Sequence, residues 1–229
     1  MTASFVSINE FATAYRFDGP EDGRVVVLSN SLMSNYDMWD WTVPALSDRY
    51  RVLRYDTRGH GRSGIQQMGA KFPDQVLSLG LCDTASEMPP RSMWAERIDI
   101  ASTKGIPGLV DGTIQRWFTS EFIQRSPQDI EKVRKFILGT KPEGYIACAS
   151  GIRDMAQTTM LLKIKSPTLV MTGRQDPACT FEQSTVLHRT IEGSEMVILE
   201  NAAHLSNIEQ PQAFNQALRK FIDQVDDHL

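Results

Sequence analysis

The chain has 229 residues, a net charge of −4, 41% hydrophobic and 23% charged residues, values of an ordinary folded protein with room for one sizeable core. No basic block points to nucleic acid, no apolar run approaches the length of a membrane span, and the start Met1-Thr2-Ala3-Ser4-Phe5 lacks the basic and apolar regions of a signal peptide. Three widely spaced cysteines, Cys82, Cys148 and Cys179, and four scattered histidines show no metal-ligand spacing; reduced thiols, a cytoplasmic location and no metal or other cofactor are expected.

In chain order, Phe5 to Ile8 and Ala12 to Phe17 alternate about Asn9-Glu10, which predicts a β-hairpin. After the turn cluster Asp18 to Gly23, the apolar run Val25 to Leu28 reads as a strand buried on both faces. A helix region is expected over Trp39 to Leu46, limited by Pro44, then a strand over Arg51 to Asp56. Gly59, Gly61 and Gly64 form a glycine loop. A short helix over Gln66 to Phe72 stops at Pro73, and a buried strand is expected over Val76 to Leu81. From Ser92 to about Leu162 the spacing turns helical: Trp94, Ile98 and Ala101 share one face, and Ile130, Val133 and Ile137 another. Strands return at Pro167 to Gly173 and Met196 to Leu199, and a closing helix spans about Gln212 to Val225. Strand, helix and strand in this rhythm predict an α/β fold with a mostly parallel sheet, helices on both faces and a helical cap. The division is a core over 1–91, a cap over 92–163 and a second core part over 164–229.

Four passages at strand ends resemble α/β-hydrolases: Leu28-Ser29-Asn30-Ser31-Leu32, Tyr55-Asp56-Thr57-Arg58-Gly59-His60-Gly61-Arg62-Ser63, Thr172-Gly173-Arg174-Gln175-Asp176-Pro177 and Asn201-Ala202-Ala203-His204-Leu205-Ser206-Asn207. Within that superfamily the chain is most similar to 3-oxoadipate enol-lactonases, through those passages and through Met38-Trp39-Asp40, Arg116-Trp117-Phe118-Thr119, Gly144-Tyr145 and Ile152-Arg153-Asp154. The resemblance implies a carboxylic-ester or lactone hydrolase of aromatic-compound catabolism. Asp176 would be its catalytic acid, His204 its base and Leu32 a backbone donor to the oxyanion. Ser31, Trp117 and Arg153 would contact substrate. Arg116 is a second candidate partner for a substrate carboxylate, with solvated surface arginines as the alternative for both, and Trp94 a second candidate pocket wall, with core packing at helical spacing as the alternative for both tryptophans. Met33 stands where the family usually has glycine, and its side chain is expected to crowd the oxyanion loop.

The nucleophile is absent. In this family it lies in Gly-x-Ser-x-Gly on a turn between strand and helix. No serine here has glycines at both −2 and +2: Ser63 follows Gly61 but precedes Ile65, and Ser150 lies in the cap. The glycine loop runs straight into what reads as the end of the helix following the elbow. The junction falls near Ile65–Gln66, and the missing helix, strand, elbow and helix amount to on the order of 35–45 residues. Activity is therefore expected to be lost or greatly reduced. Ser31 and Cys148 are the alternative nucleophiles, though neither sits on an elbow aimed at His204. The lost strand would be central. Closing the sheet avoids orphaned backbone groups at about 1–3 kcal/mol each, so direct pairing of strand 25–29 with strand 76–81 is expected.

Other readings stay open. Another α/β-hydrolase esterase or lactonase is one. Gly59, Gly61 and Gly64 also make a literal Gly-x-Gly-x-x-Gly, with Asp83 after the next strand, the layout of a dinucleotide-binding unit. A non-catalytic protein holding a small acid is the third. A small lactone or ester is the expected partner, without nucleic acid or membrane, and the oligomeric state is not legible.

Overall fold

A computed structural model describes residues 4–8, 11–56, 65–88 and 90–228. The glycine loop with His60, Ser63 and the proposed nucleotide-binding glycines lies outside these residues.

Among the described residues, seven strands form two sheets. The first has the order β1 (Ser4–Ile8), β2 (Phe11–Asp18), β4 (Arg51–Tyr55), β3 (Val25–Leu28). β1–β2 and β2–β4 pair antiparallel, and β3–β4 pairs parallel. The second is all parallel, in the order β5 (Leu79–Cys82), β6 (Thr168–Gly173), β7 (Glu195–Leu199). α1 (Ile65–Lys71) leads into β5, and α7 (Thr158–Leu161) and α8 (Phe181–Thr190) pack with it beneath the second sheet. The cap comprises α2 (Arg91–Lys104), α3 (Val110–Trp117), α4 (Ser120–Arg125), α5 (Pro127–Leu138) and α6 (Pro142–Arg153). α9 (Ser206–Glu209) and α10 (Pro211–Asp226) end the chain's order. None of the described helices is long and apolar enough to cross a membrane.

The hairpin, the helical cap and the closing helix follow their sequence patterns. Pro211 opens α10, where its missing N–H costs nothing, and Phe214, Leu218 and Phe221 form the buried stripe expected at helical spacing. Three expectations change. The helix over Trp39 to Leu46 is instead two short 3₁₀ turns, Tyr36–Trp39 and Val43–Ala45, the second built around Pro44. β5 begins at Leu79 rather than Val76, because its only partner, β6, starts after Pro167, whose carbonyl accepts the Leu79 N–H at 2.9 Å; Leu77 is exposed.

The third change is the largest: among the described residues β3 does not pair with β5, and the two sheets stay separate. Contacts between distant segments hold the two sheets in place. Leu28 and Val52 of the first share one hydrophobic core with Leu169, Met171 and Leu199 of the second. α10 ties that core to the segment before β4: Tyr50 Oη donates to Asp223 at 2.5 Å, and Arg219 donates to the Ala45 carbonyl at 2.9 Å. Asn207 Nδ2 donates to the Met38 carbonyl at 2.8 Å and Asn215 Nδ2 to that of Trp41 at 2.7 Å. Pairing β3 with β5 would have to displace segments that these contacts hold. β3 is accordingly not buried on both faces: Val25 is 52% and Val27 48% exposed.

Candidate active site

Asp176 and His204 lie in the loops that follow β6 and β7. Gly173 brings the two loops together. A Cβ there would stand 2.3 Å from the Ala203 carbonyl oxygen and 2.5 Å from that of Ala202, so only glycine lets the histidine loop cross the end of β6 this closely. Arg174 and Gln175 then donate their N–H groups to Leu199 and Ala202, each at 2.9 Å.

Asp176 is buried, and both its oxygens are occupied. Oδ1 accepts the N–H groups of Ala178 at 2.7 Å and Cys179 at 2.9 Å. Oδ2 pairs with His204 Nδ1 at 2.9 Å. Burial works against the imidazolium, but the Asp176 carboxylate outweighs it and holds the His204 pKa well above the ordinary histidine value. An imidazole held by a buried carboxylate is the pairing that acyl-transfer sites use to orient a base.

Ser31 completes the line. Its Oγ lies 3.4 Å from His204 Nε2, so the expectation that Ser31 is not aimed at His204 fails. The side chain owes this position to its loop. Asn30 Nδ2 donates to the Tyr55 carbonyl at 2.8 Å, and Trp39 Nε1 donates to Asn30 Oδ1 at 3.0 Å. A turn follows in which the Ser34 N–H and Oγ reach the Ser31 carbonyl at 3.2 and 2.7 Å. Met33, third in that turn, has φ +64°, the position where glycine serves without strain. Its buried side chain points to the cap rather than crowding His204: Sδ lies 3.9 Å from both Thr113 Oγ1 and Arg97 Nη2. Leu32, the expected oxyanion donor, sits between Ser31 and this strained residue.

Trp117 joins the cluster, its ring centroid 6.3 Å from that of His204, and its carbonyl accepts the Leu205 N–H at 3.1 Å. Arg153 lies apart from it: half-buried at the end of α6, it pairs with Asp154 at 2.9 Å. Trp94 is buried, its indole donating to the Met88 carbonyl at 2.9 Å.

Two residues, Arg97 and Glu209, escaped the sequence reading, while Arg116 and Asp83 take surroundings that it did not foresee. Arg97 donates to Tyr145 Oη at 3.0 Å and Thr113 Oγ1 at 2.9 Å. Arg116 lies beside it; burial and then the Arg97 charge push its pKa down, while the Asp176 charge works the other way. Among the described residues neither guanidinium has a carboxylate partner, and both are half-buried. Glu209, 2% exposed, fastens the histidine loop to the cap, accepting the Ala203 N–H at 2.9 Å and the Thr119 N–H at 3.1 Å. Asp83, at φ +46°, lies under the pair. It accepts the Gly173 N–H at 2.8 Å and the Ser206 hydroxyl, and burial, then the Asp176 charge, push its pKa up to about 7. With both oxygens so engaged, Asp83 is poorly placed to hold a ribose.

Asp176, Cys179 and His204 hold ligand atoms within 4.8 Å of one another. The carboxylate is already committed to three hydrogen bonds, and burial pushes the Cys179 thiol pKa up, away from the thiolate a metal takes. The set fits a hydrogen-bonded acid–base pair better than a metal cage.

Comparison with known proteins agrees with this geometry. The chain is 30% identical to 3-oxoadipate enol-lactonase 2 of Acinetobacter baylyi, over 95% of this chain and 94% of that protein. It is 26% identical to 3-oxoadipate enol-lactonase 1 of the same organism, over 92% of each. The profile of a family described as TAP-like protein matches residues 144–226. The crystal structure of the enol-lactonase from Burkholderia xenovorans LB400 superposes with a TM-score of 0.91 at 30% identity, covering 96% of this chain and 100% of that one. The chain belongs to the α/β-hydrolase superfamily, as a homologue of the 3-oxoadipate enol-lactonases.

Proposed function

We propose that the chain binds a small lactone or ester bearing a carboxylate and hydrolyses it with His204 as general base and Asp176 as its orienting acid, far more slowly than relatives that have an elbow serine. The observation that carries this reading is the 2.9 Å pairing of His204 Nδ1 with Asp176 Oδ2 at the ends of adjacent parallel strands. Arg97 and Arg116, without carboxylate partners among the described residues, suit an anionic substrate. Leu32 is the proposed oxyanion donor, with Trp117 as a wall beside the base. Arg153 is retained as an outer contact for an approaching anion. A 3-oxoadipate enol-lactone, met in aromatic catabolism in the cytoplasm, is the substrate proposed; the free thiols of Cys82, Cys148 and Cys179 suit that compartment.

The excised segment is part of the proposal. The alignment with the 30% identical relative runs over 256 positions, while 95% of 229 residues is about 218, so roughly 38 positions face no residue of this chain. That length supports the loss of a helix–strand–elbow–helix unit near Ile65–Gln66. The split between β3 and β5 and the retained superposition on an enol-lactonase support the same view.

The test is an intact mass of the purified chain with turnover of enol-lactone and of simple aryl esters, beside His204→Ala. Slow hydrolysis that disappears in the variant is expected. Turnover matching an elbow-bearing relative contradicts the proposed loss, and a mass above that of 229 residues contradicts the excision. The second reading, a binding protein without turnover, is favoured by the paired arginines alone. It predicts calorimetric binding of small dicarboxylates with no hydrolysis.

A further inference from the structure

We infer that Ser31 acts as the nucleophile in this chain, in place of the missing elbow serine. The inference rests on the proposed hydrolase reading and goes beyond it, since His204 could also activate water directly. Three observations converge on Ser31. Its Oγ is 3.4 Å from Nε2 of His204, whose other ring nitrogen is paired with a buried carboxylate. Catalytic hydrogen bonds commonly stand long before substrate binds. The side chain is fixed from both sides, by Asn30 held to Tyr55 and Trp39, and by the turn through Met33 at φ +64°. A residue held in a rarely populated conformation beside a reactive group is a feature of sites that impose geometry on a nucleophile. Finally, Leu32 directly follows Ser31, and its N–H makes no hydrogen bond among the described residues. An N–H of the residue after the nucleophile is what an oxyanion site takes from an elbow.

The rivals are engaged elsewhere. Cys179 adjoins the pair, but it is 4% exposed and burial holds its thiol neutral. Cys148 is 4% exposed within α6. The Ser206 hydroxyl donates to Asp83. Ser31 is half-buried, open to a small substrate and within reach of the base.

The reaction balances with water as the only co-reactant. Ser31 Oγ bonds to the lactone carbonyl carbon as its proton passes to His204 Nε2. The ring C–O bond then breaks, and its oxygen takes that proton. Water adds to the acyl carbon and gives a proton to Nε2; the Oγ–C bond breaks and Oγ recovers the proton. The freed acid leaves, and Ser31 and His204 are restored.

The experiment uses a small alkyl fluorophosphonate, which phosphonylates an activated serine, on the full chain, with the adduct located by fragmentation of the tryptic peptide 25–49. One adduct at Ser31 is expected, forming at least about tenfold more slowly in His204→Ala. An adduct elsewhere, or none, overturns the inference. Ser31→Cys guards against a fold effect in Ser31→Ala: its thiol should alkylate with iodoacetamide ahead of Cys82, Cys148 and Cys179, and a thiol no faster than those overturns the assignment. Aryl-ester hydrolysis separates the two levels. Hydrolysis that needs His204 but is unchanged in Ser31→Ala overturns Ser31 and leaves the general-base reading. Labelling at Ser31 with no hydrolysis of any ester or lactone supports the nucleophile and contradicts the hydrolase reading.

Discussion

β3 and β6 are both short apolar parallel strands, yet they live in different surroundings. β6 has neighbours on both edges, and all six of its residues are buried. β3 has one neighbour, and two of its valines are about half exposed. β3, with three valines and a leucine, is the more apolar of the two, β6 carrying two threonines and a glycine, so burial here is set by what stands beside a strand rather than by its own residues. β6 keeps α8 beneath it and α10 near by, and its end carries Asp176 in a fixed position. On the described residues β3 lacks a second strand neighbour and leaves Val25 and Val27 exposed, while the loop after it brings Ser31 to His204. The two regions share a core but not a completed sheet.

The largest effect should come from making the two strands alike. Inserting a helix–strand–elbow–helix unit of roughly 38 residues, taken from the 30% identical relative, between Ile65 and Gln66 should raise lactone hydrolysis by about 10³-fold or more. It should also lower binding of a hydrophobic dye. Rate and dye signal both unchanged would break the comparison.

Next, cavity formation should separate the strands. Val170→Ala, at a fully buried β6 position, should cost about 2–3 kcal/mol in denaturant unfolding. Val27→Thr on β3 should stay within about 0.5 kcal/mol. Equal costs would mean that β3 is covered in solution.

Glu209→Gln puts an amide where a carboxylate receives backbone N–H groups from both the cap and the histidine loop. Leaving a donor unmatched should cost on the order of 1–3 kcal/mol and reduce His204-dependent hydrolysis. Lost stability with unchanged hydrolysis would show that Glu209 supports the cap alone.

The smallest effects are in pH dependence. A raised His204 pKa moves formation of the neutral base to higher pH, so hydrolysis should climb through a midpoint above the ordinary histidine range. Asp176, Cys179, Asp83 and Arg116 are the titratable groups around it. Asp83 is raised from 3.8 to about 7 on folding, so the stability it contributes is present in acid and is lost as pH rises through about 7. Asp83→Asn should flatten stability across that window, as read by melting temperature against pH.

Much of this was legible in the sequence. Alternation marked the hairpin, helical spacing marked the cap, and Asp176 and His204 stood at the ends of apolar runs within familiar passages. The open sheet was not legible. It depends on contacts such as Tyr50 with Asp223 and Asn207 with Met38, between segments more than 160 positions apart. Arg97 reads along the chain as a solvated helix residue, and only the packing of α2 against α6 and α3 brings it to Tyr145 and Thr113. Glu209 stands five positions after His204 and two before the Pro211 that opens α10, but nothing in that spacing shows that its carboxylate faces inward. Ser31 was visible as a residue but not as a neighbour of His204, because the turn that aims it needs Met33 in a conformation methionine rarely takes.

Hydrogen exchange resolved by peptide tests the central claim, a hydrolase framework whose sheet is open between β3 and β5, most directly. The account predicts that amides of Thr168–Gly173 exchange only with global unfolding, while those of Val25–Leu28 not bonded to β4 exchange orders of magnitude faster. Equal and high protection in both strands would mean that β3 has a second partner, and would contradict it.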